Sequence, residues 1–284
     1  MNTLVDCDQE YTEQVLSPAL RELYDGDLRF PTNPIDRPYV IGNFVSTLDG
    51  VVSYKMEGRS GGSTISGSDD ADRFVMGLLR ASVDAVMVGS GTVRDAGPKH
   101  LWIPEFIYPE AKDLYAHYRT TVLRKPAHPL VVIISGSGRL DLDREIFRTP
   151  EVCVVIITTP SGQDRLVKAG ATGLAAVKVR TLEAPDGSVD PEAMLHLLFS
   201  DFGVRALLHE GGPNLFGQFL RRTLVDELFM TLAPQIAGRL PQTTRPGLAE
   251  AMEFLPDTAP WFQLLSVKQR ADHLYLRYRA TSKQ

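Results

Sequence analysis

The chain has 284 residues, 43% of them hydrophobic, which is enough for one large domain or two modest ones with a full core. A net charge of −5 excludes a general nucleic-acid binder, which needs a basic face to displace phosphate counterions. The longest unbroken apolar run, residues 152–157, falls far short of the roughly 20 residues that cross a bilayer, and the acidic start MNTLVDCDQE is unlike a signal peptide. A cytoplasmic protein with no membrane or nucleic-acid partner is expected.

Residues 1–36 read as an N-terminal helical extension to a domain covering 37–284. Ser17-Pro18 is a helix start, Leu16, Leu20, Leu23 and Tyr24 recur at helical spacing, and Asp25-Gly26 stops the run. YVIGNFV from Tyr39 predicts a buried strand. Ser66-Gly-Ser-Asp69 has the spacing of a capping box before a helix with Ala71, Phe74, Val75, Leu78 and Leu79 on one face. VDAVMV (83–88) predicts the next strand, and a helix to about Tyr118 follows the Pro- and aromatic-rich stretch 97–109. LVVII (130–134) and VCVVII (152–157) are short β-branched runs that predict strands covered on both faces. A helix over 163–169 and a short strand over 175–179 follow. Asp190-Pro191 then opens a helix with Met194, Leu197 and Leu198 turned inward.

VRALLHEGG predicts a strand running into a glycine turn, followed by a helix carrying Leu215, Phe216, Phe219 and Leu220. FMTL (229–232) is a strand, and 262–268 with 273–279 form a hairpin around Arg270-Ala271-Asp272. In its last strand Leu274, Leu276 and Tyr278 alternate with Tyr275, Arg277 and Arg279, which predicts a buried apolar face and an exposed polar one. The whole pattern predicts an α/β fold: a central mixed, mostly parallel sheet flanked by helices, with a C-terminal antiparallel hairpin.

Metal and nucleophile chemistry have no foothold. The six histidines show no HExxH spacing, Cys7 and Cys153 are not clustered, and neither GxSxG nor a P-loop occurs. Gly89-Ser-Gly91-Thr-Val-Arg94 begins like a dinucleotide fingerprint but has Arg94 where the third glycine belongs. Two glycine turns nevertheless end strands, VDAVMVGSGT and His209-Glu-Gly-Gly-Pro-Asn214. Exposed N–H groups at such turns favour phosphate; a plain strand-to-helix connection is the alternative.

Thr47-Leu-Asp-Gly50, Arg80-Ala-Ser-Val-Asp84 leading into VGSGTV, HEGGPNLFGQFL and LVDELFMTLAP stand in one order over about residues 38–280. In that order they resemble the reductase domain of riboflavin biosynthesis, a family of dihydrofolate reductase-like fold. The resemblance implies a homodimeric, NADPH-dependent reductase that turns the ribosylamino group of a pyrimidine phosphate into a ribitylamino group. Carried over by motif, Gly211, Gly212, Pro213, Asn214 and Leu215 would cradle the dinucleotide phosphates, with Val45 and Thr92 also at the cofactor. Ser135, Gly138, Arg139 and Leu140 would form a second cofactor loop, Arg139 meeting the 2′-phosphate. Glu210 would stabilise charge on the opened, imine-like substrate, and Arg73 and Arg80 would bind its sugar and phosphate. Asp49 and Asp84 read as a turn residue and a strand-edge cap.

Several positions depart from the family. Val51 replaces the usual lysine, Arg94-Asp-Ala-Gly-Pro98 lacks the paired Asp before Pro, 99–108 is unlike the usual short Leu-Thr stretch, and the loop at 58–68 is longer. These changes cluster where the substrate belongs. They leave a pterin or dihydrofolate-type imine, or a non-catalytic NADP-binding protein, as alternatives. Trp102 and Phe106 either stack on a ligand or fill the core.

Overall fold

Strands form at the β-branched runs LVVII and VCVVII, and the helices that start at Pro18, Pro160 and Pro191 begin where Ser, Thr or Asp precedes Pro. The computed structural model describes all residues except 9–14, 32–34, 57, 60 and 282–284. Among the described residues the strands are β1 (Asn2–Asp6), β2 (Tyr39–Ser46), β3 (Ala85–Gly89), β4 (Leu130–Ile134), β5 (Val154–Thr158), β6 (Val177–Thr181), β7 (Ala206–His209), β8 (Glu227–Leu232), β9 (Phe262–Arg270) and β10 (His273–Ala280). The α-helices are α1 (Pro18–Tyr24), α2 (Gly62–Ser66), α3 (Asp70–Ser82), α4 (Ser90–Asp95), α5 (Pro104–Ile107), α6 (Lys112–His117), α7 (Glu145–Arg148), α8 (Pro160–Lys168), α9 (Pro191–Phe202) and α10 (Pro213–Arg221). The α/β class with mostly parallel strands and a C-terminal hairpin is the one the pattern predicts. Among the described residues no helix is long and apolar enough to cross a membrane.

The chain divides into two compact units. The first comprises Met1–Phe30, Val40–Met76 and Pro213–Gln284; the second comprises Pro31–Tyr39 and Gly77–Gly212.

In the first unit the strand order is β1-β9-β10-β8-β2, with β2 parallel to β8 and the other pairs antiparallel. The hairpin forms as expected, but its faces are reversed. Tyr275 and Arg277 are buried, whereas Leu274, Leu276 and Tyr278 are half-exposed. The cause is a set of satisfied buried charges contributed by residues 1–30 and β8. Arg277 pairs with Glu227 and Asp8, each at 2.8 Å, donates to the Arg29 carbonyl at 2.7 Å, and lies against the rings of Phe30 and Phe229. Lys268 donates to Thr3 Oγ1 and the Asp25 carbonyl above the Tyr24 ring. A charge is buried where every donor finds an acceptor.

The same N-terminal stretch holds β1, a strand with no hydrophobic alternation to announce it. Helix α1 starts on Ser17 as expected, its hydroxyl accepting from Leu20 N. The capping box at Ser66 does not form: Ser66 ends α2, Gly67 turns left-handed at φ 66°, and Asp69 caps α3 by accepting from Asp72 N at 2.9 Å.

In the second unit the order is β7-β3-β4-β5-β6, all parallel. Every residue of β5 and all but the first of β4 are buried, as strands sandwiched between helices require. Asp84 caps the strand edge, its carboxylate accepting from Arg205 N, Ala206 N and Lys125 Nζ. In α9 it is Leu195, not Leu197, that joins Met194 and Leu198 in the core.

Candidate functional site

Parallel strands deliver the chain to one edge of a sheet, and the C-terminal ends of adjacent strands are where α/β proteins place ligands. β7 and β3 are such neighbours in the second unit. Beyond β7 the pairing continues one residue, Glu210 N donating to the Met87 carbonyl at 2.9 Å. The buried His209 accepts Gly211 N on Nδ1 at 3.2 Å, and burial pushes its imidazole down to about 3, so it is neutral. Gly211 therefore commits its N–H to this turn. A Cβ on Gly212 would lie 3.8 Å from Thr92 Oγ1, so the two glycine turns recognised in the sequence meet here.

The Glu210 carboxylate is met by Arg80 from the last turn of α3. Nε donates to Oε1 at 2.9 Å and Nη2 to Oε2 at 2.7 Å, with 1% of the Arg80 and 8% of the Glu210 side chain exposed. The remaining edge of the guanidinium, Nη1, faces the carbonyls of Leu101 and Ile103 at 3.4 and 3.3 Å. Arg80 thus has no open fork for a substrate phosphate; the structure makes it the clamp of Glu210. Behind it, Arg119 donates to the carbonyls of Arg80, Ala81 and Val83, capping the buried C-terminal end of α3. Burial lowers Arg119 to about 10, which leaves it charged at neutral pH. Nothing in its sequence position announced this role.

The segment 99–108 is fastened by the same guanidinium. Trp102 and Ile103 fill the core, while Phe106 is 38% exposed. The His100 ring stands 4.6 Å from Trp102 and 4.8 Å from Phe106, and burial together with nearby Arg80 pushes it down to about 3.

The loop after β4 packs backbone to backbone on the turn after β5. Gly138 has φ 63°, and a Cβ there would collide with the Gly162 carbonyl. Thr158 Oγ1 donates to the Ser135 carbonyl at 2.6 Å and Thr159 Oγ1 to the Gly136 carbonyl at 2.7 Å. Buried Ser135 keeps an Oγ with no hydrogen-bond partner among the described residues. Arg139, four residues on, is exposed, Leu140 is half-exposed, and Arg165 donates to the Ser137 carbonyl. An orphaned hydroxyl, a backbone surface without side chains and a free arginine suit a phosphate-bearing ligand. Thr159, Gly162 and Arg165 escaped the sequence reading, although Thr159-Pro160 is a legible helix start.

In the first unit, Val45 lies in a core cluster with Val51, Ile65 and Ala233, so it offers a ligand only its backbone. Val51, where the family has lysine, is fully buried there. Pro213 opens α10, Asn214 is exposed and Leu215 half-exposed, while Phe216 packs so closely on β2 that a Cβ on Gly42 would come within 2.6 Å of its ring. Arg73 forms a surface pair with Asp70 at 3.3 Å. Asp49 is the turn residue expected: it accepts from Thr47 Oγ1, Ala237 N and Gly238 N, and those bonds, the hydroxyl first, hold its carboxyl down at about 2. Among the described residues no cluster of His, Cys, Asp and Glu suits a metal ion.

The sequence model of the RibD C-terminal domain matches residues 38–272. The chain is 28% identical over 205 residues to the 2,5-diamino-6-ribosylamino-4(3H)-pyrimidinone 5′-phosphate reductase of Aquifex aeolicus, covering 72% of this chain and 80% of that protein. Its fold is similar to Acinetobacter baumannii RibD (TM-score 0.66, 23% identity), covering 87% of this chain but only 59% of that one. It is equally similar to a pyrimidine reductase-like protein of Corynebacterium diphtheriae (TM-score 0.66, 19% identity), covering 93% and 99% of the two chains.

Proposed function

Because the chain belongs to the RibD C-terminal domain family, we propose that it is an NADPH-dependent reductase of a phosphorylated ribosylaminopyrimidine in riboflavin biosynthesis, acting in the cytoplasm through the region 37–284. The observation that carries the reading is the meeting of Gly212 with Thr92 at the ends of β7 and β3, directly after a carboxylate that Arg80 holds rigid.

NADPH, when bound, supplies a hydride. Thr92 and the Gly212 backbone would hold its pyrophosphate, with Gly211, whose N–H is already bound to His209, shaping the turn; Asn214 and Leu215, which follow Pro213 in the first turn of α10, would add their own N–H groups. Ser135, with its unpartnered hydroxyl, and Gly138 and Leu140 would hold the adenosine end, Arg139 pairing with the 2′-phosphate. Val45 would contribute through its main chain.

The substrate sugar opens to an imine whose carbon becomes electrophilic; reduction there and a proton on nitrogen leave the ribitylamine. Glu210 contributes position and charge. A carboxylate has about four acceptor sites; Arg80 uses two, and the others are available to an N–H or O–H of the opened substrate. Because the clamp fixes the carboxylate beforehand, no reorganisation is spent as charge develops. Arg73, half-buried on the first turn of α3 and paired there with Asp70, would meet the substrate phosphate.

A homodimer belongs to the same proposal. Leu274, Leu276 and Tyr278 of β10, with Val267 of β9 and Met230 of β8, form a half-exposed apolar sheet face that a second copy would cover.

The test is NADPH oxidation with the ribosylaminopyrimidine phosphate, a pterin and dihydrofolate as substrates, together with a cofactor titration. Turnover of the first supports the reading. Turnover of only the others moves the substrate and keeps the reductase. NADPH binding without turnover leaves a nucleotide-binding protein.

A further inference from the structure

A closed ring of hydrogen bonds runs from the Arg80–Glu210 clamp through α5 and back, and one of its members, His128, fits it in a single charge state. We propose that His128 is a positioning residue of the site: as the doubly protonated imidazolium it ties α5 to the entry of β4, and through Arg80 it steadies Glu210. The effect on turnover rests on the reductase reading; the tie itself does not.

The ring begins at Arg80, whose Nη1 holds the carbonyl of Ile103, the last residue before α5, at 3.3 Å. Two residues on, in the first turn of α5, Glu105 Oε1 meets His128 Nε2 at 2.7 Å. The carbonyl of Pro126, two residues before His128, accepts from Arg119 Nε at 3.0 Å. Arg119 Nη1 then returns to the Arg80 carbonyl, also at 3.0 Å. Arg80 and Arg119 are each 1% exposed, whereas the His128 and Glu105 side chains are 20% and 35% exposed. The inner side of the ring is therefore fixed, and the pair of His128 with Glu105 is the link that water reaches.

Both ring nitrogens of His128 face acceptors. Nε2 meets the Glu105 carboxylate, and Nδ1 points at the Glu151 carbonyl in the turn before β5, 3.2 Å away. A carbonyl oxygen and an ionised carboxylate only accept, and a neutral imidazole carries one N–H, so both bonds stand together only in the cation. The surrounding charges agree with that geometry. The Glu105 hydrogen bond raises His128 above its ordinary 6.5, against burial and the like charge of Arg119. Glu105 is held below the usual carboxylate range, its burial outweighed by His128 together with the Arg119 charge. Lys125, three residues before His128, is committed to Asp84. An unfolded histidine ionises near 6.5, so the tie is complete below about pH 6.5 and is lost as pH rises through the higher folded value. A neutral His128 keeps one bond at most, and α5 then lacks the outer hold that steadies the Leu101 and Ile103 carbonyls on Arg80.

The test compares wild type with His128→Gln, which mimics the neutral ring, His128→Arg, a permanent cation with donors for both acceptors, and Glu105→Gln, from about pH 6 to about pH 9. Ring-nitrogen NMR of the wild type should show both His128 nitrogens protonated at the acid end, with a midpoint that Glu105→Gln lowers. Solvent exchange of the Arg80 Nε–H reads the clamp without any substrate, and comparing the proteins at the same pH cancels the intrinsic rate. At the acid end it should be about two- to fivefold faster in His128→Gln than in wild type. The gap should close as pH rises through the His128 midpoint, while His128→Arg stays slow throughout. For NADPH oxidation, kcat should fall in the same pattern with the NADPH Kd unmoved, a split that a merely destabilised protein would not give. A singly protonated His128 at the acid end, Arg80 exchange that is equal in all four proteins, or a kcat indifferent to His128 overturns the inference and leaves the reductase reading standing. If no substrate turns over, the reductase reading falls and the exchange pattern alone decides the inference.

Discussion

Arg80 and Glu210, 130 residues apart in sequence, face each other through two parallel hydrogen bonds of 2.9 and 2.7 Å in a place that water scarcely reaches. Removing either side chain strands the other, and a stranded buried charge costs about 3–5 kcal/mol. Arg80→Ala and Glu210→Ala are therefore each expected to lose that much, and the double variant to lose less than their sum. Urea melts of the four proteins close the cycle. Additive losses would mean that the two side chains are not coupled. Arg80→Lys should recover little, because an ammonium cannot span both carboxylate oxygens and two carbonyls.

Cofactor preference tests the loop after β4. Arg139 is exposed four residues after Ser135, whose hydroxyl is unpartnered among the described residues, and would offer a 2′-phosphate a cation. Losing one charge-assisted contact costs about 1.5–3 kcal/mol, or roughly ten- to a hundredfold in affinity. Arg139→Ala should lower NADPH affinity by that factor and leave NADH unchanged, as read by fluorescence titration. Equal affinity of the wild type for both cofactors would count against the assignment.

What the sequence disclosed follows from what is local. The runs LVVII and VCVVII become buried strands and Ser17-Pro18 starts a helix, because periodicity and capping act over a few residues. The two glycine turns were legible for the same reason. The Arg80–Glu210 clamp was not: both residues were singled out, but only the tertiary fold shows that they bind each other. The reversed hairpin faces have the opposite origin. The strand does alternate, yet which side is buried depends on Asp8, Arg29 and Glu227 satisfying Arg277, and those partners lie far away in the chain. Gly67 spoiled the capping box by ending a short helix that no apolar period marked.

Acid dependence has a sign that one carboxyl sets against two histidines. Burial raises Asp72 to about 6, outweighing the Thr231 hydroxyl, while an unfolded aspartate ionises near 3.8. Between about pH 4 and pH 6 the folded protein holds the extra proton, so this group makes stability fall as pH rises through that window and stay level above it. His209 and His100, both pushed down to about 3, act the other way: the unfolded chain takes their protons first, so stability falls as pH drops below about 6.5. Asp72→Asn should then be more stable than wild type at neutral pH by on the order of 2–3 kcal/mol, with the difference vanishing near pH 4. Denaturant melts across that range measure it. A constant difference at all pH values would show that Asp72 does not titrate in this window.

The reversed hairpin makes the oligomeric state a test of one face only. Leu276 stands opposite Met230 on β8 and Val267 on β9, all three half-exposed, while its neighbours Tyr275 and Arg277 point into the charged, buried side. A half-exposed apolar strip of this kind gains stability when a second copy covers it, at about 25 cal/mol for each Å² of apolar surface removed from water. Leu276→Lys places a charge in the middle of the strip without touching the Arg277 network. It should dissociate the dimer and leave the monomer folded, because a surface lysine on a strand costs a monomer little. Sedimentation should give two chain masses for the wild type and one for the variant, with the far-ultraviolet spectrum unchanged. A wild type of one chain mass at micromolar concentration would leave the strip a plain solvent face. A dimeric Leu276→Lys variant would move the interface elsewhere on the chain.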